Sequence, residues 1–504
     1  MKSRFHSILL HTATGLLIGS LTLASCNVTD LTPASSLTGN SFYRTVEDAT
    51  AAVTSVYGGL TDFNTVLRIN YWGEARADQT SPAVAWGQDG EVQQAKRQNQ
   101  NATLNLTSWA PMYQAIQRAN DAIKGISQME TDINFTEQRK KDLLGEAYTL
   151  RAWAYFTLVR TFGGVPLVTE PSDGIDRDYF VKQSTEAEVL DQVEKDLQYA
   201  ITNMTRPQQS ANQRRRASRG AAKALMVHVK AWRNEYKAAE DAATDLITNE
   251  GYTLEPTASY MSQWHNSTGT NEVIFALGFD LNKNNPLITK TNTNAGYGMI
   301  PAASWVQKYR ARAEPVRGNT RTFLDLGGGN ASGRILKYTG APNPNVTAAG
   351  WDNAAWQIEP NVVARDLPML RLADIYLLRA EARNRQNNFT GALADMNVIR
   401  QRANMPLFTA TELNTLEKIE DAILDERDIE LAFEGQRWYD LLRIARRNRP
   451  DVLINNATSI LAGAERERAV QFLRDNKDRG GWLYPVNRAE LLNNRNLVQQ
   501  EAYR

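Results

Sequence analysis

A single cysteine, Cys26, stands in a chain of 504 residues, so no disulfide can form within it and packing alone must hold the fold. Histidine is nearly as scarce, and only His228 and His265 lie beyond the N-terminal segment. Without a Cys/His cluster there is no zinc-ligand set, and without a thiol in the body of the chain there is no cysteine nucleophile. His228, between Val227 and Val229 in a helical pattern, reads as a packed helix residue rather than a metal ligand. A phosphate-cradling Gly-x-x-x-x-Gly-Lys-[Ser/Thr] run is missing, and Gly327-Gly328-Gly329 reads as a plain loop. Charge of one sign is missing as well: 57 basic and 56 acidic residues leave no field that would recruit nucleic acid. Arg214, Arg215, Arg216 and Arg219 are a local exception, read as a solvated linker before a helix. No metal, cofactor or catalytic residue is expected from this inventory. Beyond the first residues no apolar run approaches the ~20 needed to span a bilayer.

What the N-terminus does contain is a basic start (Lys2, Arg4), an apolar run from Ile8 to Leu23, and Leu23-Ala24-Ser25-Cys26. An apolar stretch of this kind followed by small residues is a secretory signal, here residues 1–25, and the small residues end at the one thiol. This is a lipobox, with Cys26 as the lipidation site. At about 0.8 kcal/mol per buried methylene, several acyl chains on one residue anchor a protein firmly to a membrane without threading it through. Residues 26–40, with Pro33 and Gly39, read as a lipidated flexible tether. Residues 41–504 are read as a single helical domain.

Apolar residues at threes and fours predict helices through Ala49, Ala52, Val53, Val56, Tyr57 and Leu60, from Trp109 to Ile126, and from about Lys140 to Phe162, where Gly163-Gly164 and Pro166 stop the pattern. Two stretches look like copies: Ala224-Leu225 through Asn234, Tyr236 and Ala239, and Tyr376-Leu377 through Asn387, Phe389 and Ala392. Each is a helix, a polar turn, an aromatic and a second helix with small residues at the crossing, the scheme of a tetratricopeptide hairpin. The predicted class is therefore mainly α: tetratricopeptide-like hairpins forming an alpha-alpha superhelix that carries a loop-rich insertion. From about Gly251 to Val363 periodicity disappears and Asn, Gly, Thr and Pro rise, with Trp264, Tyr297, Trp305, Trp351 and Trp356 among turn formers.

Along the chain, Ser41-Phe42-Tyr43, Trp109 with Tyr113 and Asn120, Gly145-Glu146-Ala147, Phe162-Gly163-Gly164-Val165-Pro166, Arg371 to Ala382 and above all Asp425 to Arg443 resemble the SusD/RagB family of outer-membrane nutrient-binding lipoproteins. The closing segment is similar too, although Arg495 stands where the family commonly has proline. The resemblance implies a surface lipoprotein that captures an oligosaccharide, or in RagB-like members a peptide, and acts as a lid on a SusC-like TonB-dependent outer-membrane barrel. It also implies an anchor on the outer face of the outer membrane. An enzymatic alternative is a helical glycoside hydrolase, which needs only two carboxylates roughly 5–10 Å apart. Glu426, Glu430 and Glu434, stacked at i, i+4 on one helix face, are read instead as structural, with Arg427, Arg437 and Arg443 spaced to counter them or to reach neighbouring helices.

Sugar rings stack their C–H faces on aromatics while Arg, Asn and Asp bind the hydroxyls. Trp109, Trp153, Trp232 and Trp438 lie on periodic helices and read as packing. Trp72 and Trp86 flank the non-periodic Gly73 to Gln79, which resembles a family region near the ligand face. With Arg76, Asp78, Tyr297, Trp305, Trp351 and Trp356 they form the candidate ligand-binding set.

Overall fold

The computed structural model of the protein describes residues 42–82, 90–172, 179–205, 214–288, 299–318, 321–324, 334–339 and 362–504. Cys26, the signal segment and the tether lie outside the described residues.

The N-terminal half is built from α1 (Val46–Leu60), α2 (Phe63–Glu74), the strand β1 (Thr80–Pro82), α3 (Gly90–Lys96), α4 (Ala110–Gln128), α5 (Glu137–Phe162), α6 (Glu186–Asn203), α7 (Arg219–Trp232) and α8 (Tyr236–Asn249). Threonine and serine set the starts. The Thr45 hydroxyl accepts from the Asp48 amide while the Asp48 carboxylate accepts from the Thr45 amide, and Thr185 with Glu188 repeats this reciprocal cap on α6. Thr136 and Ser218 cap α5 and α7. From Leu143 onward α5 is buried on nearly every side, because α4, α6 and α7 pack around it. It ends at Gly163, whose φ of 78° is a conformation that glycine adopts at little cost.

The insertion holds β2 (Val273–Leu277), β3 (Met299–Pro301), α9 (Ala303–Arg312), β4 (Phe323–Leu324) and β5 (Arg334–Ile335), and it closes into β6 (Leu367–Arg371). Then come α10 (Leu372–Arg385), α11 (Phe389–Arg402), α12 (Leu416–Glu430), α13 (Arg437–Ala445), α14 (Pro450–Ala457), α15 (Gly463–Asp475) and α16 (Arg488–Asn493). The sequence reading of a non-periodic insertion missed α9. Only Trp305, Val306 and Tyr309 of that helix are buried, and Lys308, Arg310 and Arg312 dilute the stripe.

The two sequence copies are α7–α8 and α10–α11, and their turns are superposable in conformation. Asn234 has φ 60° and Asn387 φ 61°, followed by Glu235 at φ −86°, ψ 67° and Asn388 at φ −84°, ψ 67°. In each turn an amide reaches back five residues, Glu235 to the Lys230 carbonyl and Asn388 to the Arg383 carbonyl, both at 2.9 Å. Helix α8 packs on α10, so the pairs stack although a long insertion separates them in sequence. Neighbouring helices continue the stack, α1 on α4, α4 on α5, α5 on α6, α6 on α7, and α10 on α12. At the centre Trp72, Trp109, Phe162 and Tyr484 form one aromatic cluster.

Candidate functional site

The non-periodic stretch after α2 leads into β1, which pairs antiparallel with β3: Thr80 opposite Pro301, Ser81 opposite Ile300 and Pro82 opposite Met299. Gln79 locks this ladder to α12. Its amide nitrogen donates to the Asp428 carbonyl and carboxylate, both at 2.8 Å, and its oxygen accepts from the Phe433 amide at 3.0 Å. Asp428 gathers Trp305 Nε1 at 2.9 Å, Tyr309 Oη at 2.6 Å and Lys308 Nζ at 2.9 Å. Burial pulls the Asp428 carboxyl upward, but Arg437, Lys308, Tyr309 and Gln79 outweigh it and hold it well below the usual carboxylate range. Lys308 and Asp425, paired at 2.8 Å, keep part of their surface open beside the ladder.

Behind the ladder lies a buried ionic core. Arg371 donates to Glu430 at 2.7 Å, Glu272 at 3.0 Å and Glu434 at 2.8 Å, and Arg402 bridges Glu272 and Glu430 at 2.9 and 2.5 Å. Arg317 adds Glu314, Glu426 and Glu430, Arg400 adds Glu426, and Lys337 adds Glu434. Arg317, Arg371, Arg400, Arg402 and Lys337 thus balance Glu272, Glu314, Glu426, Glu430 and Glu434. The arginines within the Asp425–Arg443 block point elsewhere: Arg427 to Asp374 and Asp440, Arg437 to Asp78, Arg443 to Glu381. Burial raises the Glu430 carboxyl, and Arg402, Arg371 and Arg317 more than reverse this. With its side chain 0% exposed, Glu430 has no path to a substrate. His228 lies 2.8 Å from Asp374, a packed helix residue as its sequence context suggests.

The described candidates require correction, since all four belong to the packed interior. Trp72 is 0% exposed, donates to the Leu106 carbonyl at 2.7 Å and meets Phe162 edge-on at 5.3 Å. Arg76, equally buried, spends its guanidinium on Gln98 and on the carbonyls of Gly481, Trp482 and Leu483, 4.1 Å over the Trp438 ring. Asp78 is the bidentate partner of Arg437 at 2.7 and 2.9 Å. Trp305 is 3% exposed. The stretch lacks periodicity because it threads between packed surfaces, and a buried irregular segment looks in sequence like an exposed loop. Trp86, Tyr297, Trp351 and Trp356 lie outside the described residues. The ladder nevertheless fixes Pro82 opposite Met299, so the chain ends from which 83–89 and 289–298 depart are side by side. The partly open Lys308–Asp425 pair, contributed by α9 and α12, has no sequence signal of its own, since the two residues lie more than a hundred positions apart.

Among the described residues no group of His, Cys, Asp or Glu is arranged to hold a metal ion, and no helix is long and apolar enough to cross a membrane.

Two family models match the chain: the SusD family over residues 301–503, and a family described as starch-binding and associating with the outer membrane over residues 30–230. SusD-like protein P38 of Formosa agariphila is 27% identical over 474 residues, covering 85% of this chain and 90% of that protein. The starch-binding protein SusD of Bacteroides thetaiotaomicron is 30% identical over 145 residues, 28% of this chain and 22% of that protein. Among solved structures, a SusD superfamily protein from Bacteroides vulgatus aligns with a TM-score of 0.73 at 20% identity, covering 92% of this chain and 100% of the other. A laminarin-binding SusD-like protein aligns at 0.70 with 22% identity, covering 92% and 100%. At these identities the solved structures share the fold.

Proposed function

The chain belongs to the SusD family, and from that premise we propose that it is a cell-surface lipoprotein, held at the outer membrane through Cys26, that captures an oligosaccharide and passes it uncleaved to a SusC-like TonB-dependent barrel for which it serves as lid. Starch and laminarin binding in relatives favours a glycan over a peptide as the cargo. The observation that carries the reading is the β1–β3 ladder. It seats next to each other the two strand ends that lead to Trp86 and to Tyr297, on a frame braced by Asp428 and the ionic core. Trp351 and Trp356 complete the proposed stacking set. A hydrolase reading gains no support from Glu430 and Glu434, whose carboxylates are buried in ion pairs.

Isothermal titration with the glycan selected by an array tests this directly. Trp86→Ala and Tyr297→Ala should each weaken binding by about 1–3 kcal/mol without lowering stability, as loss of an aromatic contact at a binding hot spot does. Undiminished affinity in both variants would remove these residues from the site. Co-purification of the lipidated chain with a large barrel protein tests the partnership, and its absence from gently solubilised membranes would contradict the lid role.

A further inference from the structure

Away from the ladder, a groove of about 500 Å³ opens along the N-terminal end of α4, between that helix, the 166–172 segment and α16. Its floor is apolar: Trp109 and Ile116 are nearly buried, whereas Tyr113 and Val168 keep part of their surface open. Trp109 and Tyr113 are tilted against each other at 5.9 Å, and the Tyr113 hydroxyl is tied to the Pro166 carbonyl at 2.6 Å, so the rings are fixed. The rim is polar. Gln117 is spent internally, donating to Asp121 and accepting from the Ser172 amide. Gln114 is exposed, and no described residue bonds its amide. Arg118 commits one nitrogen to the Ser55 carbonyl at 3.0 Å and lies against Gly58 and Gly59, which leaves the rest of its fork at the surface. Glu490 adds a half-buried carboxylate that accepts from Ser108 at 3.1 Å and also from Trp109 and the Ala110 amide, which fix it at the rim.

We propose that this groove is a second saccharide subsite, with pyranose C–H faces on Tyr113 and Val168 and vicinal hydroxyls bonded by Gln114, Arg118 and Glu490. An apolar floor with a few convergent donors and acceptors is the composition of a small-molecule site, and its volume lies within the usual range. A neutral sugar fits this rim better than an anionic or cationic group, since Arg118 and Glu490 offer both signs of charge. Glu91, in the first turn of α3, accepts from the Asn105 and Leu106 amides at 2.8 Å each, so the groove begins three residues beyond the point where the chain is pinned back onto the frame after 83–89. A glycan long enough to engage the groove as well as the capture site gains contacts there that a disaccharide at the capture site lacks. As a subsite it presupposes the capture reading above.

The test compares the mature wild-type chain with Gln114→Trp, which fills the groove from an exposed position, and with the double variant Gln114→Ala/Arg118→Ala. The probes are α- and β-linked hexasaccharides of glucose, mannose and xylose and the matching disaccharides, with thermal melts to show that each variant folds. Hexasaccharide affinity is expected to fall tenfold or more in both groove variants, with disaccharide affinity unchanged. Wild-type affinity for every hexasaccharide in both variants would overturn the subsite and leave the capture reading standing. If the wild-type chain binds none of the probes, the capture reading falls and takes the subsite with it.

Discussion

At position 72 an indole has neither an exposed face nor a spare N–H, so Trp72→Ala should act on stability rather than on ligand. Truncating a buried tryptophan removes its transfer free energy and leaves a cavity, about 3–5 kcal/mol in total, and urea unfolding should report that loss. A variant that is fully stable yet binds glycan weakly would restore Trp72 to the site. Its neighbour Glu74 carries a different signature. Burial, only partly offset by the Gly435 amide and Lys96, pushes its carboxyl up to about 8 from an ordinary value of 4.5. Between those two values the native state holds a proton that the unfolded chain releases, so stability falls as pH rises through the window. Glu74→Gln keeps an acceptor for Gly435 and removes the slope. Its stability relative to wild type should therefore increase from pH 5 to pH 7, and a constant difference across that range would contradict the assignment. Lys96, pushed down to about 8 by burial and held up in part by Glu74, titrates at the upper edge of the window, so the rise is read between pH 5 and pH 7.

For single elements, helices were legible where one face is buried, because a 3.6-residue period survives any detail of packing. The hairpin turns were legible for a sharper reason: Asn234 and Asn387 sit in the left-handed region that asparagine tolerates, at equivalent points of two similar sequences. What the sequence could not reveal is how α2 meets the segment before α13. Gly73 lies so close to Gly435 that a Cβ would stand 1.8 Å from the Gly435 carbonyl oxygen. Gly73→Ala must therefore push the two backbones apart, and a drop in melting temperature far beyond the ~1 kcal/mol helix-propensity gain of alanine is expected. An unchanged melting temperature would show that the contact yields easily. The ionic core was half legible: the charges of the Asp425–Arg443 block were visible, but the partners of its glutamates, Arg317, Arg371, Arg400 and Arg402, come from distant elements. Glu430→Gln leaves Arg371, Arg402 and Arg317 short of a buried countercharge, at a cost of about 3–5 kcal/mol. Chemical denaturation should register it.

As a whole molecule, the protein presents a braced helical frame, and its single thiol, Cys26, is the proposed membrane anchor. Cys26→Ser should leave the precursor unprocessed and the protein absent from the cell surface, because no other acyl site exists in the chain. Unchanged protease accessibility on intact cells would contradict the anchor. The central claim is capture without cleavage, and titration calorimetry followed by chromatography of the same sample tests it most directly. The account predicts saturable binding of an oligosaccharide that is recovered at full length after prolonged incubation. Shortened sugars released by the pure protein would contradict it.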